Sequence, residues 1–323
     1  MISITRGKAK LWSRLGARAT YGQAMLEAAR QRDDFYVMSA DLCQSSGLVR
    51  FRDEFPERFI NAGIAEQNMI GIAAGLAKDG SNVFATSFAP FVTMRACEQV
   101  RMNMGYMQSN IKTVGLGSGL IMAQLGNSHF GIEDVSIMRS IPGMTVIEPA
   151  DSVEIVKAVE TLCDYGRPAY LRLTGGAGLP MVYMEDIDFQ IGKAVMVREG
   201  KDIAIIAAGT MVYYANQAAA LLSECGIDAA VVDMHTIKPL DGETIDTQLD
   251  KKLLVTVEEA TIVGGLGSAV AEYLAAKRQK PPQLMLGIKD CFLHAGSYPY
   301  LLEQCGLTDR QIASDIEAMY TIL

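Results

Sequence analysis

Glu66 is the residue best placed for chemistry. It lies in NAGIAEQNMIGIAAGLAKDG, residues 61–80, a pattern that predicts a helix with this carboxylate in its first turn. The positive end of the helix dipole favours an acid there. Taken alone, a first-turn glutamate is more often structural. Phe88 and Phe91 follow the strand pattern NVFATSF with i, i+3 spacing. They could serve as a platform for a flat ring, although an isolated aromatic pair more often belongs to a core. In NSHFGIED, Ser128 reads as a helix cap, Glu133 and Asp134 occupy the next turn, and His129, taken alone, is more often a packed or surface histidine. The familiar catalytic signatures are missing: there is no HExxH, GxSxG, Walker loop or calcium loop. Cys291 and His294 lie three apart without a second pair, so no zinc site is expected. GGLGSAV (264–270) sits between a strand and a helix, as a dinucleotide loop would. Val270 stands where that loop needs a small residue, and no acid follows at the required distance, so tight backbone packing is its expected role.

The chain that must position these groups has 323 residues, or two domains at about 150 residues each. Half its residues are hydrophobic and 20% are charged, which excludes disorder, fibres and small disulfide scaffolds. The net charge of -8 opposes a general affinity for nucleic acid. Arg6, Lys8, Lys10, Arg14 and Arg18 make the N-terminal arm basic, but no apolar stretch of signal-peptide length follows. The uncharged run 203–223 contains Gly209, Thr210, Asn216 and Gln217 and reads as strand, turn and helix rather than a membrane span. Six dispersed cysteines with no CxxC pair predict reduced thiols and a cytoplasmic location.

Strand and helix patterns alternate, predicting an α/β class with largely parallel sheets. FYVMSA, NVFATSF, IKTVGL, MTVIEP and AYLRL read as buried strands. Between them lie the helical patterns of residues 63–80, FVTMRACEQVRMNM, and DSVEIVKAVETLCDYG with an Asp151 cap. The aperiodic stretch around 180–192 reads as a linker. Beyond it come DIAIIAAG, a helix to Gly226, DAAVVDM, KLLVTVEE and GGLGSAVAEYLAAKR. The expected organisation is two consecutive three-layer α/β domains, 1–185 and 186–323.

The order GIAEQNM, SFAPF with RACEQVR, HFGIEDVSIMRSIPGMTVIEPAD and YLRL resembles the pyrimidine-binding domain of transketolases. VVDMHTIKPLD and VTVEEATIVGGLGSAVAEYL resemble the C-terminal domain of the same enzymes. The resemblance covers the chain from about residue 15 onwards. 1-Deoxyxylulose-5-phosphate synthases and the beta subunits of 2-oxo acid dehydrogenases share this layout, but residues 129–151 are closer to transketolase. In the family, a separate domain carrying GDG binds the diphosphate of thiamine diphosphate and its Mg2+ (or Ca2+). No GDG occurs here. The resemblance therefore implies the C-terminal subunit of a split transketolase that transfers a two-carbon ketol unit. It also implies an N-terminal partner subunit, an α2β2 heterotetramer, sugar substrates and no metal ligand of this chain's own.

Residue by residue, the resemblance makes Glu66 the hydrogen-bond partner of N1′ of the aminopyrimidine, favouring the imino tautomer that activates the thiazolium carbon. It places Phe88 and Phe91 on the pyrimidine face and Asp41 and Leu42 along the thiamine. His129 becomes a contact of the donor ketose that also serves catalysis, and Arg18, Ser45 and Arg172 become phosphate ligands. Three positions depart from the family pattern: Gly117 and Ala260 where histidines are usual, and Leu125 where an acid is usual. These departures leave room for a substrate other than the ordinary pentose and heptulose phosphates. The alternatives are a 2-oxo acid dehydrogenase beta subunit, a 1-deoxyxylulose-5-phosphate synthase-like carboligase, or an inert regulatory homologue. Retention of Glu66 and both phenylalanines argues against the last.

Overall fold

The computed structural model describes residues 2–323. Among the described residues, twelve strands form two sheets. The first contains β1 (Phe35–Ser39), β2 (Phe59–Asn61), β3 (Asn82–Phe88), β4 (Ile111–Leu116), β5 (Thr145–Ile147), β6 (Ala169–Leu173) and β10 (Thr236–Lys238), in the order β10-β5-β6-β4-β3-β1-β2. The second contains β7 (Val195–Arg198), β8 (Ile203–Ala207), β9 (Ala229–Asp233), β11 (Leu253–Thr261) and β12 (Gln283–Ile288), in the order β12-β11-β8-β9-β7. Only β10 and β7 run antiparallel to their neighbours. The sheets are mostly parallel, as expected of two consecutive α/β domains.

Side chains alternate across each strand, so each sheet buries apolar residues on both faces. Val83 and Ala85 of β3 pack with Met69, Ile70 and Ala73 of helix Glu66–Lys78. Phe84 and Phe88 on the opposite face pack with Tyr21 and Met25 of helix Ala17–Ala29 and with Val156 and Val159 of helix Ser152–Asp164. Asp151 caps the last helix, its carboxylate accepting from the amides of Val153 and Glu154. In the second sheet, Ile203, Ile205 and Ala207 face helices Met211–Glu224 and Asp309–Thr321, while Ala204 and Ile206 face the core that includes helix Leu266–Ala275.

Several features depart from the sequence reading. FVTMRACEQVRMNM does not form one regular helix: wide turns at Phe91–Arg95 and Arg101–Tyr106 flank a short α-helical piece, Cys97–Val100. Ser128 caps no helix. The next helix starts at Asp134, and Ser128 instead ends a tight turn, Gly126–Ser128. Residues 174–194 contain no helix or strand, yet β10 lies beyond them in sequence and pairs with β5 of the first sheet, Thr236 opposite Ile147. The glycine loop 264–267 packs tightly: the Glu258 carboxyl group accepts from the amides of Leu266 and Gly267, both at 2.8 Å, filling that helix start with an internal side chain. Burial pushes the Glu258 carboxyl up to about 8. Among the described residues no helix is long and apolar enough to cross a membrane.

Candidate active site

Parallel α/β sheets place ligands at the carboxyl ends of their strands, and the chemistry-bearing residues converge there. Asp41 and Leu42 follow β1, Glu66 opens the helix that follows β2, Phe88 ends β3, and the loop bearing His129 leaves β4. Glu66 is 2% exposed, buried by this chain's own residues. Its carboxylate accepts from Ser87 Oγ at 2.9 Å and from Arg95 Nη1 at 2.9 Å. A buried carboxylate requires such partners.

Phe88, Phe91 and His129 form a three-ring cluster. The phenylalanine centroids lie 6.0 Å apart, and the imidazole meets both edge-on, at 5.8 Å from Phe88 and 5.2 Å from Phe91. Edge-to-face packing at these separations is favourable. His129 Nδ1 bonds to Ser128 Oγ at 2.9 Å. Leu42 packs into the same apolar cluster as Phe88, Phe91 and Met122. Asp41 lies at the exposed rim in a left-handed conformation (φ 60°), held by Asn61, whose side-chain oxygen accepts from the Asp41 amide and whose side-chain nitrogen donates to the Asp41 carboxylate. Short polar side chains tolerate that backbone.

Arg95, in the motif RACEQVR, has no role assignable from the sequence. In the fold its guanidinium lies over Phe91, 3.9 Å from the centroid, while bonding to Glu66. Wide helical turns often occur at functional sites, and this one sets Phe91 and Arg95 side by side. The arrangement also tests the implied cofactor. An aminopyrimidine requires a carboxyl partner for its ring nitrogen and aromatic faces beside it, and Glu66, Phe88 and Phe91 supply that chemistry, with Arg95 covering one face of Phe91. The residues fit.

The phosphate ligands fare differently. Arg18 is half-buried and makes no ion pair among the described residues. It lines a cleft of about 390 Å³ with Ile121, Met122, Gln124, Ser297 and Tyr298. No acidic side chain lines that cleft. Ser45 sits half-buried in the turn after Leu42, where its neighbour Ser46 makes the turn's side-chain bonds to the carbonyls of Leu42 and Cys43. Arg172 is a correction. It is completely buried: Nε bonds to Asp134, Nη1 to Glu148 at 2.5 Å, and Nη2 to the carbonyls of Gly131 and Glu259. A guanidinium consumed by two internal carboxylates has no fork left for a phosphate. Burial still pushes Glu148 up to about 7 despite its cation. Gly117 also matters: it is left-handed (φ 61°), and a Cβ there would come within 2.8 Å of Met122. Met122 thus fills the space beside the position where the family pattern carries a histidine. Among the described residues no three His, Cys, Asp or Glu gather as a metal site.

Two consecutive α/β domains with a buried glutamate beside an aromatic wall at the strand ends agree with the family comparison. Residues 14–177 match the transketolase pyrimidine-binding domain and residues 192–312 the transketolase C-terminal domain, so the chain belongs to the transketolase family. It is 41% identical to a putative transketolase C-terminal section of Methanocaldococcus jannaschii over 93% of this chain and 95% of that protein. It is also 41% identical to a 6-deoxy-6-sulfo-D-fructose transketolase subunit of Clostridium sp., over 91% of each. An apulose-4-phosphate transketolase subunit of Phocaeicola vulgatus is 39% identical over 85% of this chain and 88% of that protein. The structure of a split-gene transketolase, described as an inactive beta4 tetramer, superposes with a TM-score of 0.88 at 38% identity, covering 95% of this chain and 99% of that one.

Proposed function

We propose that this chain is the C-terminal subunit of a thiamine diphosphate-dependent split transketolase that moves a two-carbon ketol unit from a ketose donor to an aldose acceptor. The observation that carries this reading is the buried Glu66 carboxylate beside the Phe88–Phe91–His129 wall. Thiamine diphosphate, when bound, supplies the nucleophilic carbon that attacks the ketose carbonyl. Glu66 holds a proton at N1′ of the pyrimidine ring, Ser87 fixes the carboxylate, and Phe88 and Phe91 exclude water from the ring face. Leu42 and Asp41 line the thiamine. His129, oriented through Nδ1 by Ser128, contacts the donor and holds or moves a proton at its reacting oxygen. Arg18, without an ion pair among the described residues and in an acid-free cleft, receives the anionic end of the sugar, and Ser45 in the turn after Leu42 is that group's second proposed ligand. The sulfo and phosphate groups in two relatives' names fit that guanidinium.

The subunit names of the relatives support a partner that supplies the diphosphate and Mg2+ site, and the description of the split-gene neighbour as an inactive beta4 tetramer agrees with that reading. The test is co-expression with a GDG-bearing partner, followed by assays with ketose and aldose on one side and 2-oxo acid with lipoyl domain on the other. Ketol transfer is expected. Acyl transfer to the lipoyl domain would overturn the reading in favour of a 2-oxo acid dehydrogenase. The expected mass is that of α2β2, and an active 1:1 heterodimer would refute that stoichiometry.

A further inference from the structure

The loop that carries His129 is built as much from the second sheet's layer as from the first. It closes on itself at an antiparallel bridge between Gly119 and Gly131, whose amides and carbonyls bond reciprocally at 2.7 and 3.1 Å. His129 faces the two phenylalanines, but its neighbour Phe130, with Leu120, Ala123 and Ile132, is buried in the core formed by Val257, Ile288, Leu301 and other residues of the C-terminal half. The loop tip is tied to the same half. Asn127 donates to the Leu293 carbonyl at 2.7 Å and accepts from its amide at 3.2 Å, and the Gly296 amide donates to the Ala123 carbonyl.

Glu259 stands at the centre of the loop base. It is fully buried and accepts three bonds: from the Leu120 amide at 2.7 Å, from Thr210 Oγ1 at 2.8 Å and from Tyr298 Oη at 2.7 Å. The loop and the starts of helices Met211–Glu224 and Tyr298–Gln304 therefore meet on one carboxylate. Gly119 leaves the space it occupies, since a Cβ there would lie 2.3 Å from Glu259 Oε1. Arg172 closes the base from the other side through the carbonyls of Gly131 and Glu259. This use of Arg172 explains why it faces inward.

We propose that Glu259, with Tyr298 and Asn127, positions His129, so that the C-terminal domain acts as the frame of the active-site loop. The inference rests on the reading of His129 as the donor-contacting residue. Glu259 and Asn127 touch neither cofactor nor substrate in this scheme, and Tyr298, which also lines the Arg18 cleft, acts on the loop through its bond to Glu259. They act by fixing the backbone from which the imidazole projects, and a misplacement near 1 Å costs on the order of 10²-fold in rate.

The experiment uses the full chain assembled with its partner and labelled with [13C]histidine, which gives three ring signals: His129, His235 and His294. His129 packs on two phenylalanine rings, so ring currents make its signal a gauge of loop position. Tyr298→Phe removes one bond to Glu259 without changing ring volume, and Asn127→Ala frees the tip. Both variants should move or broaden the His129 signal while leaving His235 in place. In both, kcat should fall by up to about 10²-fold, with KM changing far less. Ser136→Ala breaks a different contact between the two halves, Ser136 Oγ to the Val263 carbonyl at 2.6 Å, and should leave the His129 signal and kcat unchanged. An unmoved His129 signal in both loop variants, or equal movement in Ser136→Ala, overturns the proposal. A wild-type pair lacking ketol transfer refutes the functional reading instead, and the histidine signals still decide whether the C-terminal half frames the loop.

Discussion

Glu66→Gln separates the chemical role of this carboxylate from its structural one. The amide has the same shape and can still accept from Ser87, but its nitrogen cannot accept from Arg95 and its proton cannot be shared with a ring nitrogen. The structural cost follows from the geometry. A hydrogen bond to a charged group contributes about 1.5–3 kcal/mol when desolvated. Arg95 is 45% exposed, so water replaces much of what is lost. The cost should be about 1 kcal/mol, near the value for partly exposed ion pairs. For a chain of this size that lowers Tm by about 1–2 °C, leaving the fold and the assembly with its partner intact. Loss of general acid–base assistance costs far more in rate, about 10²–10⁴-fold. The assay is exchange of the C2 proton of bound thiamine diphosphate in deuterated buffer, run beside steady-state turnover and thermal melting of the assembled pair. Exchange at the wild-type rate would refute the role assigned to Glu66. Unfolding of the variant would show that the carboxylate is a structural acid.

The purified chain alone, given thiamine diphosphate and Mg2+, should show no ketol transfer; robust turnover would refute the need for a partner. Arg172→Met strands Asp134 and Glu148 without their cation and should destabilise the fold by about 3–5 kcal/mol in urea unfolding. Native stability with a raised KM would restore Arg172 as a phosphate ligand. Stability should also fall between pH 6 and pH 8. Burial pushes Glu148 up to about 7, Asp233 and Glu258 up to about 8, and Glu154 well up as well. The folded chain therefore holds protons that the unfolded chain has released, and the stability they contribute is lost as pH rises through the folded values. Lys112, pushed down to about 7, and His235, down to about 4, oppose this with one proton each and are outnumbered. Urea midpoints that rise from pH 6 to pH 8 would refute this account.

Much of the fold was legible because strands and helices announce themselves locally. The apolar runs at 35–39, 82–88, 111–116, 203–207 and 253–261 became strands, and the small-residue periodicity after Glu66 became a helix with that residue in its first turn. Asp151 capped the helix it precedes because a cap is a contact between near neighbours in sequence. The chain order of motifs was also enough to identify the family. Tertiary structure alone decided the fates of the charged groups. Arg95 reaches Glu66 across 29 residues, and Arg172 is consumed by Asp134 and Glu148 at separations of 38 and 24. Composition shows that a guanidinium exists, but whether it faces a ligand depends on which carboxylates the fold buries beside it. The same holds for β10, which pairs with the first sheet, and for the loop 119–131, whose apolar residues settle in the second core. Periodicity marks which side of a segment is apolar. Which other surface that side meets is set by packing between segments far apart in the chain, and that packing places His129 against the two phenylalanines.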